Sequence, residues 1–331
     1  MTVNTINQKS LGPLLSIAPM MDRTDRHFRY FMRQITRYTL LYTEMITTAA
    51  IHYGDRSKLL GFSLEEKPLS LQLGGDNPQE LAECSIIAED LGYDEVNLNV
   101  GCPSDRVQSG NFGACLMAQP KLVAKCIEAM QKRVHIPVTV KHRIGIDERD
   151  RYKDLTNFVR IVSEAGCQRF IVHARKAWLR GLSPKENRTL PPLRYEDVYR
   201  LKKQFPQLFI EINGGIVTIE KIKEHLQFVD GVMIGRAAYD NPYLFATVDR
   251  DIYGKTVTPL TRPEIIEKMF SYIDYWSNNG LKLHSISRHL LTIFGGISGT
   301  KSWKRYISEN SHLPGADVKV IKRALAKISE Q

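Results

Sequence analysis

Short apolar segments alternate with amphipathic segments eight times between Leu14 and Ala238. A parallel strand needs a crossover connection, usually a helix, before the chain can add the next strand to the same sheet. Eight such units within about 225 residues are typical of a (β/α)8 TIM barrel, so the sequence predicts an α/β fold of this type. The predicted strands span residues 14–20, 41–45, 69–73, 95–100, 138–143, 170–174, 209–213 and 231–234.

The segments between the strands have helical spacing. One segment places four apolar residues at i, i+3, i+4 and i+7, which predicts a helix with one face on a core. Another begins with Asn77-Pro78, a capping residue followed by a proline that suits the first helical position, and ends at Gly92. The four apolar residues of the first segment are Leu155, Phe158, Val159 and Val162.

The main alternative fold is an open doubly wound sheet, which would place a glycine-rich nucleotide-binding loop after the first strand. That strand ends instead in Ala18-Pro19-Met20-Met21-Asp22, without a glycine. This ending favours the barrel.

The alternation stops after Ala238, and from Pro263 onward the pattern is helical. We therefore predict two domains, a barrel at 12–240 and a smaller all-helical C-terminal domain at 256–331. The three apolar faces that predict the helical domain are Ile265, Ile266, Met269 and Ile273; Ile286, Leu290, Leu291 and Phe294; and Val318, Ile321, Leu325 and Ile328.

The charge of the chain suggests a polyanionic partner. Its net charge is +10, and residues 255–331 carry 12 Lys and Arg against 6 Asp and Glu, a net of +6. A basic region of this kind is typical of nucleic-acid binding, although a solvated helical face would look the same. No apolar run is long enough to span a membrane, and residues 1–11 lack the apolar core of a signal peptide. We expect a cytoplasmic protein without a membrane partner, and no protein partner is implied.

The cysteines argue against a disulfide framework and against a metal site. They are five in number, widely spaced, and include no Cys-x-x-Cys pair, whereas zinc and iron–sulfur sites have closely spaced ligands. We expect no metal.

In a TIM barrel the residues that follow each strand meet at one end, the mouth of the barrel, where such folds carry their chemistry. The seventh and eighth predicted strands end in Asn213-Gly214-Gly215 and Gly235-Arg236. Barrels commonly bind phosphate between these two loops, and glycines let backbone N–H groups approach an anion closely. A tight turn would also explain the glycine pair, but the adjacent arginine favours phosphate.

Four other strand ends carry polar side chains that suit a flavin. Lys141 could stabilise an anionic ring, and His173 and Gln72 could hydrogen-bond a ring edge; a frayed strand end or ordinary core contacts would explain each of them singly. Cys102 follows the fourth strand in a Gly-Cys-Pro turn that could be purely structural. A flavin mononucleotide that reduces a conjugated double bond needs a separate proton donor, which a protonated thiol lying away from cationic groups could supply.

These motifs resemble those of tRNA-dihydrouridine synthases, specifically the A-type bacterial subfamily, from about Leu14 to near the C-terminus. The Asn-x-Gly-Cys-Pro turn is highly specific among them. The residues that carry the resemblance are Ala18 to Asp25, Tyr42-Thr43-Glu44-Met45, Leu71 to Gly75, Asn97 to Ser104, Val140 to Gly145, His173-Ala174-Arg175, Asn213-Gly214-Gly215 and Gly235-Arg236.

The resemblance implies a reductase that converts uridine to 5,6-dihydrouridine at positions 20 and 20a of the tRNA D-loop. NADPH would reduce the flavin, the flavin would pass a hydride to C6, and Cys102 would protonate C5 as the general acid. Asn99 would lie close to the uracil. The residues implied to contact FMN are Ala18, Pro19, Met20, Gln72, Lys141, His173, Asn213, Gly214, Gly215, Gly235 and Arg236.

The resemblance also implies two groups of tRNA contacts, Lys185 and Arg188 after the sixth strand, and Lys301 and Lys304 in the helical domain. Lys301, Lys304 and Arg305 have the spacing of one helix face, whereas Trp303 should point to the core. A base inside a stack hides C5 and C6, so the uridine must be unstacked or flipped. Two alternatives are a small-molecule pyrimidine or enone flavin reductase and a non-catalytic RNA-binding barrel; neither explains both the basic helices and the residues of the mouth.

Overall fold

The computed structural model describes residues 12–329, and eight parallel strands form its centre. Strands two to eight pair in chain order, and the eighth also pairs with the first. The first reaches the second through a bridge between Ser16 and Leu40, which closes the sheet and confirms the predicted barrel. The strands are β1 Leu15–Ile17, β2 Leu41–Thr47, β3 Leu69–Gly74, β4 Glu95–Val100, β5 Val138–Arg143, β6 Arg169–His173, β7 Phe209–Asn213 and β8 Gly231–Ile234.

Helices follow the strands and surround the barrel, and further helices follow the last strand. Short 3-10 turns lie at Leu64–Glu66, Gly113–Ala118, Glu186–Arg188 and Pro242–Phe245. The α-helices are α1 Arg26–Arg33, α2 Thr48–Tyr53, α3 Arg56–Leu60, α4 Pro78–Asp90, α5 Asp105–Ser109, α6 Pro120–Gln131, α7 Tyr152–Glu164, α8 Tyr195–Gln204, α9 Ile219–His225, α10 Arg236–Asp240, α11 Val248–Asp251, α12 Arg262–Lys268, α13 Phe270–Asn278, α14 His284–Ser287, α15 Thr300–Asn310 and α16 Val318–Ser329.

The surrounding helices form where their apolar faces and caps predict them. The four predicted apolar residues of α7 are all buried. At the start of α4 the Asn77 side chain accepts a hydrogen bond from the N–H of Gln79 at 2.9 Å, which satisfies one of the free donors of the first turn. The outward side chains of the strands and the inward faces of these helices form one continuous hydrophobic cluster.

The helices that follow Arg262 belong to the same hydrophobic cluster and contact the barrel through α1. The rings of Tyr30 and Tyr272 stack with their centroids 3.8 Å apart, and Arg288 pairs with Asp25 at 2.5 Å. The boundary between two domains at 240–256 stays a prediction, and residues 1–11 and 330–331 lie outside the described residues.

Two predicted elements are shorter than expected. β1 ends at Ile17, because Pro19 has no N–H to donate to a neighbouring strand. Met20 then begins a turn, in which its carbonyl accepts the N–H groups of Arg23 and Thr24. The predicted apolar face at 286–294 is not one helix: α14 ends at Ser287, and turns continue to Gly299. Ile293 is buried there, whereas Leu291 is only half-buried. No helix within residues 12–329 is long and apolar enough to cross a bilayer.

Candidate active site at the mouth of the barrel

The side chains that point into the barrel are mostly polar. Successive strand residues alternate between the two faces of a sheet, and the inward positions include the buried residues Glu95, Arg169 and Glu211. The guanidinium of Arg169 lies between the two carboxylates and donates to Glu211 at 2.6 Å as well as to Glu95. Burial alone would lower the pKa of Arg169, but Glu95, Tyr42 and Glu211 raise it above its ordinary value. Arg169 therefore stays charged.

A layer of amide side chains lies beside this network. Gln72 Nε2 donates to Asn97 Oδ1, and Asn99 Nδ2 donates to Gln72 Oε1, both at 2.8 Å. Asn97 in turn donates to Thr139 at 2.8 Å. One N–H and one oxygen lone pair of Gln72 remain for a ligand, so its predicted contact with a ring edge is compatible with these bonds.

Asn99 shapes the turn that carries Cys102. Its Oδ1 accepts the N–H groups of Gly101 and Cys102, both at 3.0 Å, a side-chain-to-backbone pattern that stabilises turns. These contacts hold the thiol at the end of β4. The predicted proximity of Asn99 to a uracil stays a prediction.

The thiol of Cys102 is half-buried, and its Sγ lies 3.6 Å from Ser104 Oγ. The carbonyl of Cys102 accepts the N–H of Ala114 at 2.8 Å, so the loop folds back over the turn. Gly113 adopts a φ of 75° there, and a Cβ at this position would lie 2.6 Å from the Cys102 carbonyl oxygen. Only glycine fits this close approach.

Lys141 lies opposite Asn99 in the register of β4 and β5. Burial lowers the pKa of Lys141 to about 8, and Arg143 adds to this effect, whereas Glu211 and Cys102 oppose it. Within residues 12–329 its ammonium group forms no hydrogen bond or ion pair. Lys141 can therefore offer its donors to a ligand at the mouth.

A cationic side chain lies beside the turn of Cys102. Arg143 Nε donates to the carbonyl of Gly101 at 2.9 Å, which brings a guanidinium next to this turn. The expectation that the thiol sits away from the cationic pockets that create thiolates stays a prediction.

Arg143, which was not among the predicted site residues, also connects two loops. Its Nη1 donates to the carbonyls of Lys176 and Asn187, both at 3.0 Å. The signal was present in the sequence, because Arg143 is two residues after Lys141 and therefore points to the same side of the strand. Arg143 thus fixes the Cys102 turn against the loop that follows β6.

His173 ends β6 and packs against the glycine turn after β7. A Cβ on Gly214 would lie 2.9 Å from the imidazole Cδ2 of His173. Burial, together with Arg143 and Lys141, lowers the pKa of His173 well below its ordinary value. The ring is therefore neutral and keeps one donor and one acceptor nitrogen.

At the predicted phosphate site, backbone N–H groups are available to donate to an anion. Within residues 12–329 the N–H groups of Gly214, Gly215, Gly235 and Arg236 donate no hydrogen bond. We call these four N–H groups the anion cradle. Asn213 supports it by donating to the carbonyl of Met233 at 2.8 Å. Free N–H groups from two adjacent strand ends, together with the Arg236 guanidinium, suit a phosphate.

The first loop lies beside the cradle. Ala18 donates its N–H to the carbonyl of Ile234 at 2.8 Å, and a Cβ on Gly235 would lie 3.9 Å from the Ala18 side chain. Pro19 follows, and the N–H of Met20 donates to Thr24 Oγ1 at 3.0 Å. The structure thus brings the predicted FMN-contacting residues to one end of the barrel.

The four predicted RNA contacts are all exposed. Arg236 donates to the carbonyl of Arg188 at 3.3 Å, so Arg188 lies at the mouth, and Lys185 precedes it in the same loop. Lys301 and Lys304 lie on the exposed side of α15, whereas Trp303 is buried, as predicted, and donates to the carbonyl of Leu290 at 3.2 Å. The structure describes no group of three or more side chains suited to a metal within 12–329.

Comparisons with known proteins agree with these motifs. Two curated relatives are named tRNA-dihydrouridine(20/20a) synthase: one from Synechocystis sp. is 67% identical over 96% of this chain and 94% of its own length, and one from Escherichia coli O6:H1 is 55% identical over 96% of both chains. A solved complex of 2-naphthoyl-CoA reductase has a similar fold, with a TM-score of 0.54, 11% identity, and coverage of 71% of this chain and 49% of that one.

A sequence model of one family covers nearly the whole chain. It is described as Dihydrouridine synthase (Dus) and matches residues 16–329, a range that contains every candidate residue of the mouth. The chain therefore belongs to the dihydrouridine synthase family.

Proposed function

We propose that this protein reduces the C5–C6 double bond of uridine to 5,6-dihydrouridine at positions 20 and 20a of the tRNA D-loop, with FMN as cofactor and NADPH as reductant. Relatives that are 67%, 57% and 55% identical carry the name of this activity. A tRNA substrate also accounts for the positive charge of the C-terminal helices, and it implies a cytoplasmic protein.

The residues of the mouth fit FMN. The anion cradle and Arg236 would hold the phosphate, with the loop of Ala18, Pro19 and Met20 beside it. Lys141, His173 and Gln72 offer donors and acceptors to the ring. FMN, reduced by NADPH, would supply the hydride that is added to C6 of the uracil.

Cys102 would complete the reduction by donating its thiol proton to C5 of the uracil. The electron pair of the double bond moves toward the C4 carbonyl when C6 gains the hydride, and it then forms the new C5–H bond. Arg143, which donates to the carbonyl of Gly101, holds the turn that carries the thiol. Solvent would restore the thiol proton after the transfer.

The RNA would be held away from the reacting atoms by its phosphates. Lys185 and Arg188 would contact it at the mouth, and Lys301 and Lys304 on α15. Asn99 would lie beside the uracil while holding the Cys102 turn. An unpaired D-loop base can be turned into the mouth at small cost, because few stacking contacts are lost.

The observation that carries the proposal is that Cys102, Lys141 and the anion cradle lie at the same end of the barrel in a chain of this family. Its test uses purified protein, NADPH and unmodified tRNA, with dihydrouridine mapped by sequencing. We expect a flavin absorbance spectrum and modification at positions 20 and 20a. A flavin-free protein, or a flavoprotein that leaves tRNA unmodified, would contradict the proposal.

The same assay tests the proton donor. Cys102→Ala should lower the rate of dihydrouridine formation by about 100-fold or more, with NADPH-dependent flavin reduction unchanged. Cys115→Ala is the matched control, because Cys115 is a half-buried thiol of the same loop whose Sγ contacts the carbonyl of Phe112 at 3.1 Å. Equal rates for the two variants would place the proton donor elsewhere.

A further inference from the structure

The glycine turn of the anion cradle is held from outside the barrel by a tyrosine. The hydroxyl of Tyr195, at the first position of α8, donates to the carbonyl oxygen of Gly214 at 2.7 Å. Burial raises the pKa of Tyr195, although Arg175 and Lys221 oppose this, so the hydroxyl keeps its proton. The ring of Tyr195 is fixed in turn by an edge contact with His225, with centroids 4.6 Å apart.

This hydrogen bond determines where the next N–H group points. In a planar trans peptide the carbonyl of one residue and the N–H of the next point in opposite directions. Tyr195 holds the Gly214 carbonyl toward α8, outside the barrel, so the Gly215 N–H is directed away from α8. That N–H is one of the four free donors of the cradle.

The packing around the turn leaves it little freedom. Gly214 and Gly215 have φ values of 125° and 71°, which other residues rarely adopt. A Cβ on Gly215 would lie 2.6 Å from Leu193 Cδ1 and 3.0 Å from the Tyr195 hydroxyl. Leu193 thus packs closely against the turn, and the Tyr195 hydroxyl provides its polar contact.

We propose that Tyr195 is a positioning residue for the anion cradle, and that its hydroxyl orients the Gly215 N–H for a phosphate monoester. The naming of FMN as the natural ligand rests on the proposed function, whereas the orientation of the cradle does not. The role is specific to the phosphate end of a ligand, because the Tyr195 hydroxyl donates its hydrogen bond to the carbonyl within the cradle.

The test compares three ligands on cofactor-free, full-length protein: FMN, riboflavin, which lacks the phosphate, and inorganic phosphate. Tyr195→Phe removes only the hydroxyl and should weaken binding of FMN by about 3- to 10-fold, the effect of one hydrogen bond. Riboflavin affinity should stay unchanged. Tyr93→Phe is the matched control, because the Tyr93 hydroxyl also donates to a backbone carbonyl, that of Leu60 at 2.8 Å, at the other end of the barrel; it should bind all three ligands like the wild type.

Unchanged FMN affinity in Tyr195→Phe would overturn the proposal, and so would an equal loss of FMN and riboflavin affinity, which would show a general structural effect. If the wild type binds neither flavin, the cofactor assignment fails. The titration with inorganic phosphate then tests whether Tyr195 positions the anion cradle. Weaker phosphate binding in Tyr195→Phe would then support the positioning role. Unchanged phosphate binding, or none in the wild type, would overturn it.

Discussion

At the scale of single residues, burial in the barrel changes the ionisation of Lys141. Its pKa is lowered to about 8, chiefly by burial. In cofactor-free protein its positive charge is therefore lost as the pH rises through about 8, whereas an unfolded chain keeps that proton to about pH 10.4. An anionic ligand that binds opposite Lys141 would hold the proton in place and raise this pKa again.

This difference predicts a change of stability with pH. Between pH 8 and 10 the unfolded chain binds more protons at Lys141 than the folded chain, so the free energy of unfolding should rise relative to Lys141→Met, by at most about 1.4 kcal/mol per pH unit. Urea unfolding of both cofactor-free proteins at pH 7, 8, 9 and 10 measures it, with the exposed Lys203→Met as control. A difference that does not vary with pH would show that Lys141 titrates normally.

At the scale of elements, the mouth depends on loops that Arg143 joins. Its guanidinium donates to carbonyls of the Cys102 turn and of the loop after β6. At the opposite end of the barrel Arg33 makes similar contacts, donating to the carbonyls of Thr36, Thr39, Glu66 and Pro68. The two buried arginines therefore differ mainly in position: Arg143 lies beside the candidate active site, and Arg33 lies at the other end of the barrel.

The pair gives a matched experiment. Arg143→Met and Arg33→Met should each destabilise the protein by about 3–5 kcal/mol, because each leaves buried carbonyls without a donor. Only Arg143→Met should lower the rate of dihydrouridine formation per folded, flavin-loaded molecule, by on the order of 100-fold, since small displacements of reacting groups are costly. Thermal unfolding and single-turnover rates measure the two effects. Equal single-turnover rates would show that Arg143 has no influence on the position of Cys102.

The sequence predicted the elements better than their side-chain contacts. Strands and helices of the barrel follow from local periodicity, which is why β4, β5, β7 and β8 have the predicted bounds. Periodicity places Arg143 on the same side of β5 as Lys141, but the carbonyl partners of Arg143 and the hydroxyl contact of Tyr195 depend on loops far apart in the chain, for which periodicity carries no signal. The turns at 288–299 were also missed, because an apolar spacing shared by helices and irregular turns does not separate them.

At the scale of the whole molecule, the basic C-terminal helices would extend the RNA surface beyond the mouth. Lys301→Glu with Lys304→Glu should weaken tRNA binding and reduce the slope of log K against log salt by about two, because each phosphate contact contributes about one. The control, Lys132→Glu with Lys203→Glu, makes the same charge change at the ends of α6 and α8, at the other end of the barrel from the mouth. Fluorescence titration at several salt concentrations measures the tRNA affinity and its salt slope. Equal slopes for the two double variants would show that α15 does not contact the RNA.

The network of Glu95, Arg169 and Glu211 has a consequence for how this chain can diverge. Replacing Arg169 alone leaves the carboxylates of Glu95 and Glu211 in the interior without a cation, at a cost of about 3–5 kcal/mol, a large part of a domain's total stability. Aliphatic residues on the outer side of the strands can exchange one at a time at much smaller cost. Descendants of this protein should therefore keep Arg169 wherever they keep both Glu95 and Glu211, while the aliphatic residues on the outer side of the same strands exchange more readily.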